Sequence, residues 1–213
     1  MTSTRNKTAQ QKQPRSRGAI IAGVLGAVVI IALVGAVVFG STEPGSEYGS
    51  PEVTGQLPLM PPNNSVDPTA AGFDAPIVVG QDFDGEEVRI ENDGRAKAIV
   101  FLAHWCPHCQ AEVPRVQAWL DETGGVEGVD IYSVSTSMNS GQPNFPASDW
   151  LDREAWTPPL IRDDSDNTVL IAHGRGGFPF WVFVDANGKV ALRVSGETQI
   201  AELESIMQAL ATS

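Results

Sequence analysis

Apolar runs of three different lengths punctuate this chain, and their lengths and spacings sort them into elements. The longest, GAIIAGVLGAVVIIALVGAVVFG from Gly18 to Gly40, holds no charged residue. At a rise of about 1.5 Å per residue, a helix of that length crosses a hydrocarbon core about 30 Å thick. The run exceeds the apolar region of about 7–15 residues in a cleavable signal peptide, and no small-residue cleavage site follows it, which predicts an uncleaved signal-anchor. No polar position marks a solvent face, which argues against a buried core helix. The absence of cysteine in or just after the run excludes a lipid-modified anchor.

Shorter runs follow. PIVVGQDFDGEEVRI, residues 76–90, predicts a hairpin turning at Asp84-Gly85. AKAIVFLA, residues 96–103, is apolar without alternation and predicts a strand covered on both faces. Pro107 then suits the first position of a helix with Val113, Val116 and Leu120 on its apolar face, ending before Gly124-Gly125. VDIYSVST, residues 129–136, predicts another buried strand, and residues 147–156 a short helix. PLIRD reads as a short strand and NTVLIAH as a helical turn closed by Gly174. Residues 180–196 form the clearest hairpin, turning at Ala186-Asn187-Gly188, and Ile200 to Ala211 a closing amphipathic helix. Alternating strands and helices followed by an antiparallel hairpin predict an α/β fold, a mixed sheet with helices on both faces.

Charge sets the orientation of the chain. The first 17 residues carry Arg5, Lys7, Lys12, Arg15 and Arg17 and no acid, and positive flanks stay cytoplasmic. Removing those five charges from the formal −12 leaves −17 for residues 41–213, predicted to lie outside the cell membrane after a single pass. Such an acidic domain repels phosphate backbones, so nucleic acid is a poor partner. Residues 41–72, with six prolines, four glycines and no periodic apolar face, read as a semi-extended linker. Residues 73–213 are then one domain, long enough to close a core without disulfides.

The only two cysteines lie in FLAHWCPHCQAEVP, two residues apart. As a staple, a four-residue loop constrains the unfolded chain by only about 2 kcal/mol. As a copper or zinc clamp, His104, Cys106, His108 and Cys109 supply four candidate ligands, but a structural zinc site usually draws on two separated ligand pairs. As a reagent the pair is better placed. The first cysteine of such a motif sits where a helix begins and is favoured as thiolate, making Cys106 the nucleophile and Cys109 the resolving thiol. Pro107 and His108 between them tune the couple: proline removes a donor and fixes the turn, and the imidazole favours thiolate.

This segment resembles the active site of the thioredoxin superfamily, and GGFPFWVFVDANGKV resembles its second landmark, a proline that is cis in the family. The pattern is most similar to the membrane-anchored TlpA-like branch, of the ResA and DsbE type, over about residues 74–211. The resemblance implies a thioredoxin-like mixed sheet and a redox-active disulfide with no organic cofactor and no metal. It implies that Pro179 is the cis-proline beside the cysteines and that Phe178 offers its backbone to an extended substrate. Trp105 and Phe178, with His104, would line the docking groove, Pro114 would kink the helix, and Glu112 would take part in proton transfer near the buried cysteine. As a bland alternative Glu112 is a solvated helix residue. The Pro-His dipeptide itself resembles that of DsbA-type oxidants.

These signals point to an extracytoplasmic thiol-disulfide oxidoreductase. Its partners would be cysteine-containing secreted or membrane proteins and a membrane redox partner, with oxidation of secreted proteins the favoured direction. Two readings stand beside it: a reductase of the cytochrome c maturation type, and a copper- or zinc-handling protein.

Overall fold

The computed structural model describes residues 46–62 and 65–212. The expected basic tail, 1–17, and signal-anchor, 18–40, lie outside the described residues. Among the described residues no helix is long and apolar enough to cross a membrane.

A six-stranded mixed sheet forms the centre. Its strands are β2 (Val66–Asp67), β5 (Ala96–Leu102), β6 (Val129–Ser135), β7 (Leu160–Arg162), β8 (Phe180–Val184) and β9 (Val190–Ser195), in the order β2-β9-β8-β5-β6-β7. β5, β6 and β7 run parallel, and β8, β9 and β2 pair antiparallel. The uninterrupted apolar run of β5 is explained by its neighbours. Ala98, Val100 and Leu102 face one core, Ile99 and Phe101 the other, and every residue of the strand is buried. β8 divides in the same way, Trp181 and Phe183 to one side and Phe180, Val182 and Val184 to the other.

The first core is covered by helices α1 (Pro107–Thr123), α2 (Ala147–Arg153) and α4 (Ile200–Ala211), through Val113, Val116, Trp150, Leu203 and Met207 among others. The second face departs from the expected helical cover. It carries one short helix, α3 (Thr168–Ala172), and a small antiparallel sheet of β1 (Glu52–Thr54), β3 (Ile77–Gln81) and β4 (Glu87–Ile90) in the order β1-β3-β4. α2 stops at Arg153, short of the expected residue 156, because Ala155 takes a left-handed φ of 54° that no α-helix accommodates.

The expected linker is the main correction. From residue 46 the chain is folded against the sheet: Leu57, Met60 and Ala70 are buried in the second core, and the Leu57 and Met60 amides donate to Ala172 O (2.8 Å) and Gly174 O (2.7 Å). Pro and Gly hide this in the sequence because the segment packs as isolated anchors along an irregular path, which has no period to detect. Its deepest tie is ionic. Arg193 of β9, fully buried, donates through Nε to Asp67 (3.0 Å) and through Nη1 to Pro58 O (2.7 Å) and His173 O (3.1 Å). Burial opposes the Asp67 charge, but Thr69 and Arg193 hold its carboxyl below the usual carboxylate range. Further upstream, Glu47 accepts from the amides of Ala147 (2.6 Å) and Ser148 (3.3 Å), closing the N-terminus of α2, whose preceding residue, Pro146, has no capping side chain.

Candidate active site

β5 delivers the chain to the site. It ends at Leu102, the next residues turn with the Cys106 amide donating to Ala103 O (3.0 Å), and α1 starts at Pro107. Cys106 is the residue flanking the helix start (φ −77°, ψ 118°), and Cys109 lies one turn inside. Both are free thiols, and both are buried, Cys106 with 6% of its surface exposed and Cys109 with none.

Their environments push them apart. The Cys106 thiol is lowered to about 5, first by the hydrogen bond from Cys109; burial opposes this, and the amides of Cys109 and His108 and the His108 charge add to it. Cys109 is pushed far upward, first by burial, then by its bond to Cys106, with the Cys106 and Glu112 charges contributing. One sulfur is therefore ionised at neutral pH while its neighbour stays protonated. This is the division that nucleophile and resolving thiol require.

The second predicted landmark closes over this pair. The Phe178-Pro179 peptide bond is cis. In its thiol form Cys106 Sγ donates to Phe178 O at 3.7 Å, and the rings of Trp105 and Phe178 meet edge to face, 6.1 Å between centroids. Trp105 is steadied by its indole N–H donating to Ser137 O (2.7 Å). Pro179 itself is buried, while Phe178 and Trp105 are half-buried beside Cys106.

His104 does not join them. It is fully buried, with Nδ1 donating to Pro143 O (2.7 Å) and Nε2 accepting from the Asn139 amide (3.1 Å), so it fastens the loop of residues 137–146 and does not face a groove. With both ring nitrogens engaged, it also drops out of the four-ligand metal set. Among the described residues no group of three or more histidine, cysteine and acidic side chains is placed to hold a metal ion. The third histidine, His173, lies in the second core, its Nδ1 donating to Val169 O (2.8 Å) and burial pushing it down to about 4.

Glu112 is not a solvated helix residue. It is 1% exposed on the inner face of α1 and accepts from Trp181 Nε1 (2.6 Å), from the Thr198 amide (2.6 Å) and, more loosely, from Arg115 Nη2 (3.4 Å). Burial raises its carboxyl above the usual range even against those donors. A carboxyl so poised, whose charge is felt by Cys109, suits proton exchange with that thiol. His108, by contrast, is exposed, and its Nδ1 lies 2.6 Å from Glu197 Oε1; that hydrogen bond raises the imidazole pKa.

Sequence reasoning missed Arg115, Trp181, Glu197 and Thr198. Trp181 read only as part of the 180–196 hairpin. Glu197 and Thr198 lie in the turn between β9 and α4, which carries no motif; Gly196 there holds φ 92° and its amide donates to Pro179 O (2.8 Å), so the turn is fastened to the proline loop.

The model of the AhpC/TSA family matches residues 69–193. The chain belongs to that family. A curated relative, the thiol-disulfide oxidoreductase ResA of Geobacillus thermodenitrificans, is 30% identical over 146 residues, 66% of this chain and 78% of its own. Among solved structures, the thioredoxin domain of a thiol-disulfide oxidoreductase from Bacteroides vulgatus superposes with a TM-score of 0.53 at 23% identity, covering 67% of this chain and 98% of that one. A DsbF homologue from Corynebacterium diphtheriae reaches 0.56 at 16% identity, covering 73% and 100%. These two share the thioredoxin-like fold. The protein is accordingly a thiol-disulfide oxidoreductase, with a mixed sheet and helices of thioredoxin type.

Proposed function

We propose that this oxidoreductase donates a Cys106-Cys109 disulfide to cysteine pairs of secreted or membrane proteins. It does so outside the cell, held to the membrane by residues 18–40 and re-oxidised by a membrane redox partner. The observation that carries the direction is the Cys106 thiolate, lowered to about 5. Stabilising the thiolate stabilises the reduced couple, raises its potential and makes the disulfide a better oxidant.

The chemistry balances without a further cofactor. A client thiolate attacks Sγ of Cys106, the Cys106–Cys109 bond breaks, and Cys109 leaves with the electron pair and takes a proton, for which Glu112 is the buried donor. A mixed disulfide now joins Cys106 to the client. The second client thiolate attacks the client's own sulfur, and Cys106 leaves as the stable thiolate. Two electrons have passed from client to enzyme. The Phe178 backbone, beside the nucleophile, is where an extended client segment would pair, and Trp105 and Phe178 would flank it.

The equilibrium potential of the couple in the full-length protein tests the direction. A value near about −120 mV supports donation, and one near about −270 mV overturns it. The second reading would then hold: reduction of client disulfides such as those of apocytochrome c. Glu112 serves that direction too, since a buried carboxyl whose charge acts on Cys109 can take its proton when that thiol attacks. In cells, Cys109→Ala should leave mixed disulfides trapped on Cys106, and a variant that traps none would remove the claim of protein clients.

A further inference from the structure

The His108 imidazole is the exposed member of the site, and an exposed side chain on a helix start is ordinarily free to turn into solvent. Here it is not free. Its Nδ1 lies 2.6 Å from Oε1 of Glu197, a residue 89 positions away on the turn between β9 and α4. The other oxygen of that carboxylate, Oε2, accepts from Arg115 Nη1 (3.4 Å) and Nη2 (3.5 Å). Arg115 Nη2 reaches in turn to Glu112 Oε2 (3.4 Å) and to Thr198 O (3.4 Å). The backbone fixes the turn from both sides, the Gly196 amide donating to Pro179 O and the Thr198 amide to Glu112. Glu197 therefore arrives at His108 from a position determined by the proline loop on one side and the buried carboxyl on the other.

We propose that Glu197 is a positioning residue of the redox couple: its carboxylate, anchored by Arg115, keeps the His108 imidazole charged and turned toward Cys106, so that the ring stabilises the thiolate. The inference rests on the function proposed above and adds to it the group that sets how strongly the disulfide is donated.

The charge balance around His108 decides the sign. The charges that act on it are the Glu197 carboxylate from the β9–α4 turn, bonded to it, and the Cys106 sulfur at the start of its own helix, with Arg115 bonded to Glu197 and to Glu112 in turn. A bare carboxylate near Cys106 would oppose a thiolate there. Arg115 stands against that charge at hydrogen-bond distance, so the repulsion is largely offset, while the bond to His108 is direct and fixes both the ring's protonation and its rotamer. The net effect of Glu197 is to favour the Cys106 thiolate through His108.

The test is a double-mutant cycle in the full-length protein with Glu197→Gln, His108→Ala and the pair combined, read by the imidazole titration of His108 in NMR spectra, the ultraviolet titration of the Cys106 thiolate, and the equilibrium potential. Glu197→Gln should lower the His108 pKa, raise that of Cys106, and lower the potential by about 30 mV for each tenfold loss of thiolate stabilisation. In the His108→Ala background the same change should do little or should act in the opposite sense. Glu197→Asp, which keeps the charge, should recover part of the effect. Equal shifts with and without His108, or an unmoved His108 titration, would overturn the role of Glu197. Because the cycle reads differences between variants, it succeeds or fails separately from the absolute potential that judges the direction of transfer.

Discussion

At the scale of the residue, the site depends on two acids that α1 and the β9–α4 turn place at different depths. Glu112 is buried and shares the Cys109 neighbourhood; Glu197 is at the surface and bonds His108. Replacing Glu112 by Gln keeps the shape and one acceptor oxygen, enough for either Trp181 or Thr198 but not both, and removes the exchangeable proton. It should slow the step in which Cys109 leaves, which is the step that forms the mixed disulfide, by about 10²-fold, with the later release of Cys106 by the second client thiolate far less affected. Rapid-mixing measurement of Trp fluorescence during disulfide exchange separates the two steps. The sequence carried the cysteines, the dipeptide between them and the proline landmark because each is a local pattern. It left Glu112 open because an acid six residues after Cys106 is the same symbol whether α1 turns it outward or, as here, under Trp181. Glu197 left no trace in the sequence, since its partner is 89 residues away and only the closing of the sheet brings them together.

At the scale of the element, strands and helices were legible wherever one period or one unbroken apolar run covered them, as in β5, α1, the β8–β9 hairpin and α4. The segment from residue 46 to 72 was not, because it is held by single anchors and by a buried ion pair whose two halves, Asp67 and Arg193, read as ordinary surface charges when taken alone. Leu57, 2% exposed between the sheet and α3, is the most telling of these anchors. Leu57→Ala should cost about 2–5 kcal/mol in urea unfolding if the segment is an integral layer of the domain. A tether would lose almost nothing from the same change.

At the scale of the whole molecule, the depressed Cys106 pKa links redox state to stability. In the reduced protein that thiol ionises at about 5, well below an ordinary cysteine at about 8.5. A lowered folded-state pKa contributes stability that is fully present above the unfolded value, shrinks as pH falls and is gone once pH has passed below about 5. The oxidised protein has no such thiol. Thermal unfolding of both forms from pH 8 down to pH 4 should therefore show the reduced form losing ground to the oxidised one as acid is added; a constant difference would mean that Cys106 titrates alike folded and unfolded. The burial of Cys109 has a further consequence. With that sulfur sealed under the helix, a visiting chain can join the enzyme at a single atom, so an alkylating reagent added to the native reduced protein should stop after one equivalent. The order of bond exchange is thus imposed by the architecture, and the sequence of events needs no timing from the client.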